Sequence, residues 1–221
     1  MPHMRVILFR PFQPTPEQVK VPFIYRWLRH PLWGWLGLRP VFAQHTLVEH
    51  EALTKWSKGR KSIVEIGVAE GASALALRKG MDPSGTLYLI DPFHLSRFPW
   101  ISSTERLARK IVNSINKGQV VWIKKFSFDA VKDWTEPIDL LFLDGDHSEE
   151  AVLRDWHDWS KFVIPGGIVI FHDARVFENG WTKESDGPVK VVNELFREGK
   201  EVGWEIIEEV HSLVVVRRLG E

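Results

Sequence analysis

The chain has no cysteine among its 221 residues, which excludes disulfide bridges, thiolate zinc sites and a cysteine nucleophile and suits a reducing cytoplasm. It also lacks net charge, with 29 Lys and Arg against 29 Asp and Glu and a pI near 7.2, so no general attraction to nucleic acid is expected. No apolar run approaches the length that crosses a bilayer. The start of the chain offers only Val6 to Phe9 as an apolar run and no small-residue cleavage pattern, so a secretory signal is not expected. Internal repeats and low-complexity tracts are absent as well. With 44% hydrophobic and 26% charged residues, the length suffices for one well-buried α/β domain plus an appendage.

What is present begins with Val64-Glu65-Ile66-Gly67-Val68-Ala69-Glu70-Gly71, followed further on by Leu87-Tyr88-Leu89-Ile90-Asp91. Ser62 to Ile66 reads as a buried strand, and Ala72 to Lys79 as a helix of strong formers stopped by Gly80. Gly67 and Gly71 lack a Cβ, so the backbone between them can turn sharply and let a ligand approach the amides at the helix start. Asp91, ending the next strand, can accept both hydroxyls of a ribose. Turn and acid together are shared by dinucleotide and S-adenosylmethionine sites, and two glycines alone also serve an ordinary βα turn. The dinucleotide fingerprint G-x-G-x-x-G is missing; Glu65-x-Gly67-x-Ala69-x-Gly71 stands in its place. An acid at position 65 suits a cationic amino or sulfonium group and would repel a pyrophosphate.

On these residues the chain resembles class I S-adenosylmethionine-dependent methyltransferases, with Ala69 where many members carry a middle glycine. The resemblance implies that Glu65 and Gly67 lie near the methionine portion of the cofactor and that Asp91 binds its ribose. It extends the cofactor site to Ala69, Gly71, Ser73, Ser127 and Asp144, with Ser127 on the adenine side. Ser127 can alternatively cap the helix it begins.

Residues 1–45 differ in texture from the rest. They hold seven prolines, Trp27, Trp33 and Trp35, and six basic residues against the single acid Glu17, as expected of a cap or attachment surface. The aromatic and basic stretch over residues 20–40 suits a lid over an acceptor cleft, a homodimer contact or peripheral membrane contact. Residues 46–221 read as the catalytic domain. A helix is predicted near 46–58, then strands near 62–66, 86–90, 119–124, 138–143, 167–171, 204–209 and 212–217. Helices are predicted near 72–79, 103–116, 127–134, 148–161 and 188–198. The alternation implies an α/β, doubly wound, Rossmann-like sheet of seven strands, mostly parallel, with an antiparallel edge hairpin and helices on both faces.

Two apolar strands end in acids: Ile138-Asp139-Leu140-Leu141-Phe142-Leu143-Asp144-Gly145-Asp146-His147 and Gly166-Gly167-Ile168-Val169-Ile170-Phe171-His172-Asp173. In the usual methyltransferase order these strands are neighbours, roughly 5 Å apart, so one divalent ion could bridge Asp144 and Asp173. Carboxylate oxygens suit Mg²⁺, Mn²⁺ or Ca²⁺, and His172 as a third ligand shifts preference toward Mn²⁺, Fe²⁺ or Zn²⁺.

This second cluster resembles the metal-dependent O-methyltransferases, and more closely their bacterial relatives acting on antibiotic sugars or described as cephalosporin hydroxylases. Gly187-Pro188-Val189-Lys190-Val191-Val192-Asn193-Glu194-Leu195-Phe196 supplies the helix that follows in that pattern, and the likeness runs from about Thr46 to Leu219. It implies that Asp144, His172 and Asp173 bind the metal and that His147, where catechol-type enzymes carry a lysine, is the general base. The chain departs from the pattern with His172 in place of Asp or Glu and Ala174 in place of Asn. The resemblance implies methyl transfer to a hydroxyl of a small molecule, a sugar or a catechol-like ring.

Plainer readings exist for several residues. His147 can cap the helix starting at Ser148, Asp146 can favour that helix through its dipole, and His172 can be a satisfied strand-end histidine. His157 reads as a helix-surface residue beside tryptophans that pack on the sheet. Pro92 to Ile101 and Ala174 to Asp186, the latter with Trp181, are long enough to be loops over the acceptor. Two other functional classes share this scaffold: an oxidoreductase, hydroxylase-like or NAD-dependent, and a non-catalytic cofactor-binding protein.

Overall fold

The computed structural model describes residues 7–8, 30–93 and 102–220. The expectations for residues 20–29 and for the loop residues His94, Phe98 and Trp100 lie outside the described residues.

Strands form where β-branched and large apolar residues run without interruption. They are β1 (Ile7–Leu8), β2 (Val41–Phe42), β3 (Ser62–Ile66), β4 (Thr86–Ile90), β5 (Gln119–Ile123), β6 (Ile138–Leu143), β7 (Val163–Phe171), β8 (Trp204–Val210) and β9 (Leu213–Arg218). β1 and β2 make a small parallel ribbon, and the other seven form one sheet in the order β5-β4-β3-β6-β7-β9-β8. The strands from β5 across to β7 are parallel, while β9 runs against both β7 and β8. The seven-stranded, mostly parallel sheet and its edge hairpin thus match the expectation.

The helices are α1 (Pro31–Leu36), α2 (Leu47–Trp56), α3 (Ala72–Gly80), α4 (Ser103–Val112), α5 (Ser127–Ala130), α6 (Glu149–Trp159) and α7 (Gly187–Val192). α6 and α7 cover one face, where Trp156, Trp159, Val191 and Val192 are buried against Val64, Leu141, Leu143, Val169 and Phe171. α2, α3 and α4 cover the other, where Leu53, Ala74, Leu77, Ala108 and Val112 meet Ile63, Leu87, Leu140, Phe142 and Ile170. Burial on both faces explains why β6 and β7 read as continuous apolar runs rather than alternating ones.

Several elements depart from the sequence reading. β7 begins at Val163, four residues before the predicted start, because the Pro165-Gly166-Gly167 punctuation is absorbed inside the strand. Gly166 adopts φ 75° there, and the register against β6 shifts between Ile138 and Leu140. The helix predicted near 188–198 divides into α7 and a π turn over Asn193–Arg197. α1 and the β1–β2 ribbon were not anticipated; Val41 and Ala43 pack with Leu75, Leu107 and Ile111, so this part of the head rests on α3 and α4.

Strand order reverses between β3 and β6, since the chain winds outward from β3 in one direction and from β6 in the other. Such a switch point leaves a crevice at the carboxyl ends of the strands. Both motifs singled out from the sequence end there.

Candidate active site

β3 delivers the glycine turn to this crevice. Gly67, Ala69 and Gly71 adopt φ of 88°, 45° and 85°. Gly67 is also pressed against the neighbouring strand end, where an added Cβ would stand 2.0 Å from the Asp144 carbonyl oxygen. Only glycine meets both demands, left-handed backbone and close approach. Gly71 caps α3 with no side-chain hydrogen bond, so no cap side chain covers the first amides of that helix.

Glu65 points to the α2–α4 face and is completely buried. Its Oε1 accepts a 2.5 Å hydrogen bond from Ser73 Oγ, while Oε2 has no partner. Burial pushes this carboxyl well above its ordinary range, against the pull of Ser73, and the nearby Asp144 and Asp91 push it further. A buried acid with one orphaned oxygen is a receptor for a cation or a donor.

Asp91 sits at the end of β4 and already shapes the turn. Its Oδ2 accepts from the amides of Val68 and Ala69 at 2.9 and 3.1 Å, and its Oδ1 from Phe93 at 2.7 Å. Each carboxylate oxygen has two acceptor sites, so capacity for a ribose hydroxyl remains.

The second constellation gathers where β6 and β7 end side by side. Ligand atoms of Asp144, His147 and His172 lie within 4.8 Å of one another. His172 Nδ1 is 2.9 Å from Asp144 Oδ1 and 3.5 Å from Asp173 Oδ1. His147 Nε2 is 3.4 Å from Asp144 Oδ1, and its Nδ1 is 3.6 Å from Asp173 Oδ2. The His172 side chain is only 1% exposed, yet neither ring nitrogen has an aligned hydrogen-bond partner. Its Nδ1 faces the Asp144 carboxylate as an ion pair, and its Nε2 has no such partner among the described residues.

The electrostatics of this group follow from its own charges. Burial opposes ionisation of Asp144, but His172 and His147 outweigh it and hold the carboxyl well below its usual range. Burial likewise opposes a charged His172, but Asp144 and then Asp173 push its ring up to about 10. The hydrogen bond to Asp144 also raises His147, against partial burial. The cluster thus concentrates positive charge on its histidines to balance its acids. Two imidazoles and a carboxylate, with Asp173 alongside, fit a divalent ion that would take over this balancing role.

Asp173 is the most constrained member. Its backbone adopts φ 50°, a costly conformation that clusters at functional sites, and its Oδ1 accepts a 2.6 Å hydrogen bond from Trp181 Nε1. Trp181 belongs to the loop between β7 and α7. Phe177 of the same loop meets Trp181 edge to face and stacks on His211 with rings 5.0 Å apart and 4° from parallel. His211 lies in the β8–β9 turn next to Ser212, whose N–H and Oγ donate to Glu49 Oε1 at 2.9 and 2.6 Å. Glu49 Oε2 accepts from Thr46 N and Oγ1 at 2.6 and 3.0 Å, so one buried carboxylate ties the start of α2 to the edge hairpin.

Other sequence-predicted residues fall as follows. Ser127 does not cap α5, for Phe126 holds the cap position; Ser127 Oγ donates to Asp155 Oδ1 at 2.5 Å instead. Ser148, not His147, caps α6, and Asp146 accepts the Ser148 amide at 2.8 Å. His157 is exposed, and Trp156 and Trp159 are buried against the sheet as expected. Sequence reasoning missed Asp155, Arg39 and the pair His45–His50. These two histidines are buried behind the cluster, Nε2 to Nδ1 at 3.2 Å, and burial first of all pushes them down to about 3 and about 4.

Residues 64–174 match the family described as a methyltransferase domain, and the chain belongs to that family. It is similar to uncharacterized protein R132 of Acanthamoeba polyphaga mimivirus, with 30% identity over 140 residues, and spans 61% of that relative's length. Among solved structures it resembles the O-methyltransferase TomG from Streptomyces achromogenes, in complex with SAM, at 16% identity and a TM-score of 0.60; the match covers 94% of this chain and 92% of TomG. The O-methyltransferase from Bacillus cereus, in complex with SAH, shares 20% identity at a TM-score of 0.53, over 78% of this chain and 82% of that one. At these identities the likeness establishes the Rossmann-like methyltransferase fold. No helix among the described residues is long and apolar enough to cross a membrane.

Proposed function

We propose that the protein transfers a methyl group from S-adenosylmethionine to a hydroxyl of a small molecule. The observation that carries the reading is the meeting of the Glu65–Gly67–Asp91 turn with Asp144, His147 and His172 at one switch point, since Gly67 touches Asp144 directly. S-adenosylmethionine brings an electrophilic methyl on a sulfonium centre. Glu65 receives the cationic methionine end, the α3 amides its carboxylate, and Asp91 its ribose. Ala69, Gly71, Ser73, Ser127 and Asp144 complete that side of the crevice.

Asp144, His172 and Asp173 would hold a divalent ion, which lowers the pKa of a hydroxyl bound beside it. His147, with 43% of its side chain exposed, can reach an acceptor and takes its proton. The loop carrying Phe177 and Trp181 forms an aromatic wall for the acceptor and excludes water. Most of the rate then comes from holding nucleophile and methyl in line. The segment before residue 46 acts as a lid on the cofactor turn, a role supported by the Arg39–Glu70 pair; its exposed Leu32, Leu36 and Leu38 also leave a self-association surface. Co-sedimentation of the full chain with liposomes would move the assignment to the membrane.

Calorimetry with S-adenosylhomocysteine and with NAD tests the cofactor. Binding of the first is expected, and binding of NAD alone would overturn the reading. A second reading, a hydroxylase-like oxidoreductase, is favoured by one observation: two histidines and a carboxylate are the donor set of non-haem iron oxygenases. Oxygen uptake with the acceptor while S-adenosylmethionine stays intact would install it.

A further inference from the structure

Trp181 donates its indole N–H, the one hydrogen-bonding group on its side chain, to Asp173 Oδ1 at 2.6 Å. The loop between β7 and α7 is built to bring the ring back to that carboxylate. At the start of the loop the Ala174 amide donates to the Ser212 carbonyl at 2.9 Å. Just past the indole, Thr182 is buried and its Oγ1 donates to the Arg175 carbonyl at 2.6 Å, so the loop closes on itself. Just before the indole, a Cβ added at Gly180 would stand 2.5 Å from the Phe177 ring, although Gly180 does not occupy the left-handed region. The missing side chain makes room for Phe177, which meets Trp181 edge to face; the backbone does not require it.

The indole divides the Asp173 carboxylate. Oδ1 is engaged by Trp181, whereas Oδ2 lies 3.6 Å from His147 Nδ1. The backbone of Asp173, at φ 50°, holds only where its surroundings fix it. A carboxylate free to turn about its last torsion offers either oxygen in many directions, and one held at Oδ1 offers Oδ2 in a single direction. Hydrogen bonds from outside the ligand set fix metal-binding carboxylates in this way, and losing one typically weakens the metal about 10–100-fold.

We propose that Trp181 is a positioning residue for the divalent-ion site: its indole N–H holds Asp173 with Oδ2 left for the ion, and so latches the acceptor loop to that site. This inference rests on the metal assignment given under Proposed function and adds a coupling between two parts that the assignment treats separately. The coupling is reciprocal, so a latched loop tightens the ion and the ion steadies the loop. A wall of aromatic rings needs no such link, since any large ring at position 181 would serve.

The test titrates Mn²⁺, followed by electron paramagnetic resonance, into the full chain without cofactor or acceptor, as wild type, Trp181→Phe and Gly180→Ala. Phe keeps a ring in the wall and drops the donor; Ala keeps the indole and displaces the segment that carries it. Each variant, checked for folding by circular dichroism, is expected to bind Mn²⁺ about 10–100-fold more weakly. Mn²⁺ is also expected to slow tryptic cleavage after the exposed Lys183 in wild type and to leave it unchanged in Trp181→Phe. Wild-type Mn²⁺ affinity in folded Trp181→Phe overturns the inference and leaves the metal assignment standing, and cleavage of wild type that ignores bound Mn²⁺ does the same. Wild type that binds no Mn²⁺ overturns the metal assignment and this inference with it. Should Trp181→Phe fail to fold, Gly180→Ala is read by the same rule.

Discussion

The guanidinium of Arg39 grips the carboxylate of Glu70 through hydrogen bonds of 2.9 and 2.5 Å, and Glu70 is the residue between Ala69 and Gly71 of the cofactor turn. The two side chains are 8% and 12% exposed, and the Phe42 amide adds a third bond to Glu70 at 3.0 Å. The segment ahead of α2 thus holds the turn in shape. Arg39→Met strands a buried carboxylate and is expected to cost about 3 kcal/mol in urea unfolding. It should also weaken S-adenosylhomocysteine binding several-fold, and adding Glu70→Gln should restore part of the stability. Lower stability with untouched affinity would sever the link between head and turn.

Asp144 serves two constellations at once, and its loss should show in both. Asp144→Asn is expected to abolish retention of Mn²⁺ measured by electron paramagnetic resonance and to lower methyl transfer at least a hundredfold. Chelation of the wild type should match the second effect. His147→Gln separates base from ligand: a fall in kcat of about 10²–10⁴ with Mn²⁺ retained fits the base, whereas loss of Mn²⁺ would make it a ligand. Turnover that survives chelation would remove the metal from the reaction.

Glu65 is held well above its ordinary range chiefly by burial, which favours its protonated form in the free protein. A cationic ligand favours the ionised form, and binding should release a proton. Calorimetry of S-adenosylmethionine in buffers of different ionisation enthalpy is expected to show net release, with affinity rising as pH rises. Glu65→Gln should abolish the release and weaken binding. Release that persists in the variant would point to another group.

Asp155 gives a stability signature with a definite sign. Its folded pKa is raised from 3.8 to about 6, so the native state binds the proton more tightly and loses stability as pH climbs between those values. The cost at neutral pH is up to about 3 kcal/mol. Asp155→Asn should therefore melt higher than wild type at pH 7.5, and the gap should close toward pH 4. A gap independent of pH would show that the carboxyl is not strained by burial.

Much of this was legible in the chain because it is written locally. The turn from Glu65 to Gly71 and the strand end at Asp91 carry their conformational demands in consecutive residues, and so do the apolar runs that end at Asp144 and Asp173. Pro165-Gly166-Gly167 speaks locally for a turn, while pairing with β6 carries β7 through it. What the sequence hid depends on residues far apart in the chain. Arg39 finds Glu70 and Ser127 finds Asp155 only once the helices are docked. His147 stands close to the Asp144 carboxylate and the His172 ring because β6 and β7 end level with one another.

Phe177 resting flat on His211 means that the loop proposed to face the acceptor leans on the outermost hairpin, whereas the turn proposed to hold the nucleoside lies in the parallel middle of the sheet. The two halves of the proposed reaction would then have separate foundations. Exchanges around residues 175–186 and 211–212 can therefore redirect which hydroxyl is modified and leave the donor's berth intact. In this architecture, a lineage can change its chemistry's target by remodelling one border of the molecule.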